Sequence, residues 1–108
     1  MSREEARQLI DERDDLVVVE TLDEKYFRKF HLPGARNVPL NEGFEGNIAD
    51  VAPETDTPIL VYCMDAECEA SSKAARKLEQ LGYTEVFDYE AGKVDWMEAG
   101  LPVEENSD

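Results

Sequence analysis

The sequence predicts an α/β fold with a central parallel sheet and helices on both of its faces. Two apolar runs, residues 16–19 and 59–62, contain no polar alternation, as is typical of strands buried on both sides. Segments with helical periodicity alternate with such runs through short connections, and this alternation favours parallel strands. With 108 residues, the chain is long enough for one domain with its own core.

The N-terminal part is expected to form a helix, a strand and a second helix. Ser2 and Glu5 have the spacing of a capping box, which starts a short helix that ends near Glu12. The first apolar run then forms a strand that ends at Glu20. Asp23 is a good N-cap for a helix over residues 24–30. The expected buried side chains of this second helix are Tyr26, Phe27 and Phe30.

The later elements are shorter and more widely separated. Residues 37–40 include a proline and are expected to form only a brief or edge strand. Residues 41–58 are rich in acids, proline and glycine, so we expect the loosest region of the chain there. Its expected anchors are Phe44, Ile48 and Val51. Residues 85–89 predict a last strand, and residues 94–98 a short helix whose Trp96 and Met97 belong to the core.

The composition sets limits on location and partners. A net charge of −15, from 26 acidic and 11 basic residues, argues against nucleic acid or an anionic membrane as partner. It leaves either a basic protein partner or a solvated acidic surface suited to high salt. The sequence contains no apolar run of membrane-spanning length and no signal-peptide profile, so we expect a cytoplasmic protein with free thiols. We expect a single domain over residues 1–103 and a frayed acidic tail over residues 104–108.

Cys63 is the first candidate for chemistry. It directly follows the buried strand of residues 59–62 and opens a polar loop that leads into a helix. A helix N-terminus favours an anion and lowers the pKa of a nearby thiol, so this position is typical of a nucleophilic cysteine. The other expected members of this active-site loop are Met64, Asp65, Ala66, Glu67, Cys68, Glu69, Ala70, Ser71 and Ser72.

Each candidate also has a simpler interpretation. Cys63 could be a small buried hydrophobe. Cys68 could be a resolving thiol that forms a disulfide with Cys63, for which four intervening residues leave room, or a loop residue without a role. Two cysteines and His31 are too few ligands for zinc, so we expect no metal and no cofactor. We expect His31 to be a hydrogen-bonded structural residue in a Pro-Gly turn.

Four segments occur in an order that matches one known family. They are HLPGARNVP at residues 31–39, VYC at 61–63, the helix through Ala74, Ala75 and Leu78 to Gly82, and the stretch from Gly92 and Trp96 to AGLPV at 99–103. With these motifs the chain resembles the single-domain rhodanese-like proteins over nearly its whole length. The resemblance implies a small sulfurtransferase. Its loop cysteine, here Cys63, takes a sulfane sulfur from a donor such as thiosulfate, holds it as a persulfide and passes it to a thiol acceptor.

The departures from the family pattern lie in the loop. The commoner motif is Cys-x-x-Gly-x-Arg-Ser, whereas this loop is longer, has no glycine or arginine, and resembles a Cys-x4-Cys variant. The family's Asp-x-Arg after the first strand appears as Glu20-Thr21-Leu22. If Asp65, Glu67 and Glu69 point inward they repel an anionic donor, and otherwise they point to water.

These departures narrow the substrate class. A loop without a cation favours a neutral or cationic donor, or a protein persulfide, over thiosulfate. A cysteine phosphatase of this kind needs an arginine where this chain has Glu69, which excludes that activity. The sequence therefore leaves two hypotheses. One is a sulfur-transfer enzyme, and the other is a non-catalytic thiol-redox switch or protein-binding module on the same fold.

Overall fold

The structure, a computed structural model, describes residues 1–105; positions 106–108 of the expected tail lie outside that range. Within it, the chain alternates helices and strands as the sequence predicted. The helices are α1 (Arg3–Glu12), α2 (Glu24–Lys29), α3 (Phe44–Val51), α4 (Ala70–Gln80) and α5 (Gly92–Glu98). The strands are β1 (Val17–Glu20), β2 (Arg36–Asn37), β3 (Ile59–Tyr62) and β4 (Val86–Tyr89). The capping box of Ser2 and Glu5 starts α1 as expected.

All strands described pair in parallel, in the order β2–β1–β3–β4. The two apolar runs are the inner strands, with Val17 opposite Ile59 and Glu20 opposite Tyr62, which confirms the predicted sheet. From β1 the chain continues to β2 at one edge of the sheet, and from β3 it continues to β4 at the opposite edge. The carboxyl ends of β1 and β3 therefore form a switch point, where open α/β sheets bind their ligands.

The core lies on both faces of the sheet. Val19 and Val61 point to the face covered by α3 and α4, whereas Val18 and Leu60 point to the face covered by α1, α2 and α5. All four side chains are buried, which explains why these strands carry no polar alternation. The buried hydrophobic residues contributed by the helices are Ala6, Phe27, Phe44, Ile48, Ala74, Leu78 and Trp96. No helix within the described range is long and apolar enough to span a membrane.

Two local predictions differ from the structure. The region expected to be loosest contains α3, whose Phe44 and Ile48 are buried one helical turn apart while Val51 is only half-buried. Met97 is 43% exposed, so its assignment to the core is wrong. Neighbouring positions on a helix point about 100° apart. Burial of Trp96 in the short helix α5 therefore turns Met97 towards solvent.

The predicted frayed tail is wrong at its first residue, because Glu104 is held by the fold. Its backbone N–H and carbonyl exchange hydrogen bonds with His31, both at 2.9 Å. Its carboxylate also accepts a hydrogen bond from the Gly34 N–H at 2.9 Å. His31 is buried, stacks on Phe27 and has Nδ1 2.8 Å from the Phe27 carbonyl oxygen, which agrees with the structural role expected for it.

Candidate active-site loop

The first residues of the loop are fixed by the N-terminus of α5. The carbonyl oxygen of Cys63 accepts a hydrogen bond from the Lys93 N–H at 3.0 Å, and that of Met64 accepts one from the Val94 N–H at 3.0 Å. Gly92, with a φ of +79°, allows this approach, because an added Cβ would lie 2.5 Å from the Met64 carbonyl oxygen. The position of Cys63 therefore depends on a helix that begins about thirty residues later in the chain.

The rest of the loop turns back so that its two cysteines meet. The Cys68 N–H donates to the Asp65 carbonyl at 3.1 Å, and the Glu67 N–H donates to Asp65 Oδ1 at 3.1 Å. Cys63 and Cys68 form a disulfide bond, with their Cα atoms 6.3 Å apart, inside the usual range for such bonds. The two cysteines are therefore paired in this structure, whereas the composition led us to expect free thiols.

The sulfur of Cys63 lies beside the start of α4. It is 3.6 Å from the Ser71 hydroxyl oxygen and 3.4 Å from the Cys68 carbonyl oxygen, and both Cys63 and Ser71 are buried. The first N–H groups of a helix have no acceptor inside it, and Glu69 at the N-cap position supplies no side-chain hydrogen bond. The donor shown near the sulfur is the Ser71 hydroxyl. Together with the N-terminus of α4 beside it, this hydroxyl favours a thiolate once the disulfide is reduced.

The acidic side chains of the loop point largely to water. Glu67 and Glu69 are exposed, and Asp65 is half-buried with its carboxylate used in the loop turn. Glu69 has one distant partner, Lys73, at 3.8 Å on the same helix surface. Of the two orientations considered from the sequence, inward or towards water, these side chains largely adopt the second. The loop itself still contains no cationic side chain.

Asp88 on β4 contacts the start of α4. It was not among the site residues predicted from the sequence. The Ser72 hydroxyl donates to Asp88 Oδ2 at 2.9 Å, which ties the first turn of α4 to the sheet. Asp88 Oδ1 is buried and has no hydrogen-bond partner within residues 1–105. In the sequence, Asp88 is a single acid among apolar strand residues, and nothing local marks its contact with Ser72.

A buried ion pair lies beneath the switch point. Lys93 Nζ donates to Glu20 Oε2 at 3.0 Å, and neither side chain is exposed to solvent. Lys93 also donates to the carbonyl oxygens of Tyr26 and Phe30, both at 2.7 Å. The second oxygen of Glu20 accepts a hydrogen bond from the Tyr62 hydroxyl at 2.8 Å. The basic residue that the family pattern places after the first strand is absent there, and Lys93 supplies a cation to Glu20 from α5.

The ion pair and the Tyr62 hydroxyl connect the carboxyl ends of β1 and β3 to α5, whose Lys93 N–H donates to the Cys63 carbonyl oxygen. Burial raises the pKa of Glu20 and lowers that of Lys93, because water no longer stabilises either charge, while their mutual attraction opposes both shifts. Burial likewise raises the pKa of the Tyr62 hydroxyl, so it remains a donor. The two charged residues are 73 positions apart, so the sequence carried no short-range signal for their pairing.

A concavity also lies beside α1. A cleft of about 570 Å³ lies between α1 and β4, lined by Met1, Glu5, Gln8, Leu9, Glu12, Arg13 and Phe87. It contains no cysteine, and its Arg13 is already paired with Glu85 at 2.7 Å and with Asp15 at 3.1 Å. The loop after β3 is the better candidate because it contains both cysteines of the chain.

Comparison with known proteins agrees with this fold. The family model of the rhodanese-like domain matches residues 2–99. The chain is 29% identical over 103 residues to the uncharacterized protein YibN of Escherichia coli, covering 95% of this chain and 70% of that protein. It is 30% identical over 96 residues to an HTH-type transcriptional regulator of Mycobacterium tuberculosis, covering 89% of this chain but only 41% of that protein.

Comparison with a solved structure also supports the fold. The chain is similar to a thiosulfate sulfurtransferase from Pseudomonas aeruginosa, with a TM-score of 0.83 and 25% identity. The similarity covers 99% of this chain and 20% of that one. The fold therefore recurs as one part of larger proteins as well as in a chain of this size. By the match to almost its whole length, the chain belongs to the rhodanese-like domain family.

Proposed function

We propose that this protein is a sulfurtransferase in which Cys63 accepts a sulfane sulfur and holds it as a persulfide. The observation that carries the proposal is the position of the Cys63 sulfur, at the carboxyl end of β3 and 3.6 Å from Ser71 Oγ in the first turn of α4. Family membership and the similarity to a protein described as a thiosulfate sulfurtransferase support it.

The proposed transfer needs only the reduced loop and a donor. The Cys63 thiolate attacks the outer sulfur of a persulfide donor, R–S–SH. A new sulfur–sulfur bond forms on Cys63, the donor's sulfur–sulfur bond breaks, and RS⁻ leaves with the electron pair. The backbone amides at the start of α4 and the Ser71 hydroxyl stabilise the thiolate before the attack.

The charge of the loop decides between classes of donor. Thiosulfate is a dianion, and the loop offers it Asp65, Glu67 and Glu69 with no cation among residues 63–69. A low-molecular-weight persulfide that is neutral or cationic, or the persulfide of a basic protein, meets less repulsion. We propose that such sulfur carriers are the donors and that a thiol is the acceptor.

A second candidate function is a thiol-redox switch without sulfur transfer. The disulfide between the two loop cysteines favours it, because that bond alone would change the loop between two states. The two functions differ in one property, which is whether reduced Cys63 takes sulfur from a donor.

The test is the release of the donor's own thiol. Reduced, desalted wild-type protein is mixed with an equal amount of glutathione persulfide at a salt concentration that screens the charges of the loop, since this donor is an anion. Free glutathione is measured against a protein-free sample. We expect rapid glutathione release by the wild type and by Cys68→Ser, and none above background by Cys63→Ser. If the wild type releases no more glutathione than Cys63→Ser, the sulfur-transfer proposal is wrong and the redox switch replaces it.

A further inference from the structure

We infer that Cys68 is a resolving thiol that converts the Cys63 persulfide into the loop disulfide and releases sulfide. The inference rests on the proposed function, because it needs the persulfide on Cys63. It goes beyond sulfur transfer, because the product becomes free sulfide and the protein then needs a reductant for its next turnover. Three features of the loop carry it.

The first feature is the contact between the two sulfurs. Cys68 reaches Cys63 without opening the loop, since the disulfide forms while the Asp65 turn and the α5 contacts are in place. The chain therefore holds an internal thiol next to the sulfur that would carry the persulfide. A thiol held in place within the same loop acts at a far higher effective concentration than one from solution.

The second feature is the difference in exposure between the cysteines. Cys63 is fully buried, whereas Cys68 is half-buried. An external acceptor must therefore enter the loop to meet a sulfur on Cys63, whereas Cys68 is already in contact with that residue. The internal thiol is therefore the first nucleophile that the persulfide encounters.

The third feature is the charge around the loop opening. Small acceptors such as sulfite and cyanide are anions, and the exposed Glu67 and Glu69 flank Cys68. Their repulsion slows these acceptors, while a thiol already in the loop does not have to cross that field.

The resolving step balances without an external oxidant. The Cys68 thiolate attacks Cys63 Sγ of the group Cys63–S–SH. The bond between the two cysteines forms, the bond to the outer sulfur breaks, and HS⁻ leaves with the electron pair. The outer sulfur is reduced to sulfide, and the two cysteines are oxidised to the disulfide.

A dithiol reductant can reset the loop. Its first thiolate attacks Cys68, the more exposed sulfur, and forms a mixed disulfide while Cys63 leaves as a thiolate beside the start of α4. The second thiol of the reductant then attacks its own sulfur in the mixed disulfide and frees Cys68. This order uses the better-stabilised thiolate as the leaving group, which favours the reaction.

The experiment follows the fate of one sulfur atom. Reduced wild-type protein, Cys68→Ser and Cys68→Ala receive one equivalent of glutathione persulfide without further reductant, and sulfide, free thiols and intact mass are measured. The wild type is expected to release close to one sulfide per chain and to lose both thiols. The two Cys68 variants are expected to release glutathione, because Cys63 is intact, but to retain the added sulfur, with at least a tenfold loss of sulfide release.

Two results would overturn the inference, and they differ from failure of the proposed function. Wild-type protein that keeps the added sulfur and both thiols leaves sulfur transfer intact and removes the resolving role of Cys68. Equal sulfide release by wild type and both Cys68 variants would likewise show that Cys68 does not resolve the persulfide. If no variant releases glutathione from the donor, sulfur transfer itself fails, and the inference fails with it. Circular dichroism of each variant confirms that the comparison is between folded proteins.

Discussion

At the scale of single residues, the loop contains two paired cysteines, and the residues that support the loop come from distant parts of the chain. Cys63 was recognisable because a cysteine follows an apolar strand and opens a polar loop, and Cys68 because four residues separate it from Cys63. The contacts made by Lys93 and Asp88 join residues far apart in the chain. Such contacts depend on the folded sheet, so local patterns could not have predicted them.

The acidic side chains of the loop should slow reaction with anionic donors. We expect Glu67→Gln combined with Glu69→Gln to raise the rate of reaction of reduced protein with thiosulfate by about threefold at low ionic strength, since two repelling charges are lost. Stopped-flow or quenched mass measurements over a range of salt concentrations would report the rate. The matched control is Glu42→Gln with Glu54→Gln, which makes the same charge change at exposed positions that are not part of the loop. Equal acceleration by both pairs would show that only net charge matters.

Lys93 should be essential to stability because its loss leaves a buried carboxylate unpaired. We expect Lys93→Met to lower the free energy of unfolding by about 3 kcal/mol, as measured by urea denaturation. Adding Glu20→Gln should recover more than half of that loss, because no buried charge remains and the amide oxygen still accepts the Tyr62 hydroxyl. Additive losses in the double variant would mean that the ion pair is not what holds this region together.

At the scale of elements, the sequence predicted the strands more clearly than it predicted helix α3. Runs such as residues 59–62 have only one plausible environment, a strand buried on both faces. Helix α3 begins after Gly43 without a side-chain cap and is only eight residues long, so its sequence has weak start signals. Its two buried anchors, Phe44 and Ile48, were nevertheless identifiable as apolar residues in an acidic segment.

The contact between α5 and the loop can be tested at Gly92. We expect Gly92→Ala to lower the free energy of unfolding by at least about 1 kcal/mol and to reduce glutathione release from the persulfide donor, because the new Cβ would collide with the Met64 backbone. Gly100→Ala is a matched control, since Gly100 has the same φ of +79° with no atom within 4 Å of the added Cβ. If both variants behave alike, only backbone conformation matters at Gly92, and α5 does not position the loop.

At the scale of the whole molecule, the charge should govern the response to salt. The chain has 26 acidic residues against 11 basic ones, and most ion pairs of the described range lie at the surface, where they contribute little. We expect the denaturation midpoint to rise between low and molar potassium chloride as repulsion among the acids is screened. Thermal or urea denaturation at several salt concentrations would measure this. A midpoint that stays constant or falls would mean that the acids are spaced too widely to repel one another.

The position of the loop between two inner strands and two helix N-termini makes Cys63 the residue on which the proposed activity depends. The most direct measurement is tandem mass spectrometry of the reduced Cys68→Ser protein after treatment with glutathione persulfide and alkylation of its remaining thiol groups. The proposal predicts one added sulfur atom, located on the peptide that contains Cys63. An unmodified Cys63 peptide under conditions in which the donor is intact would contradict it.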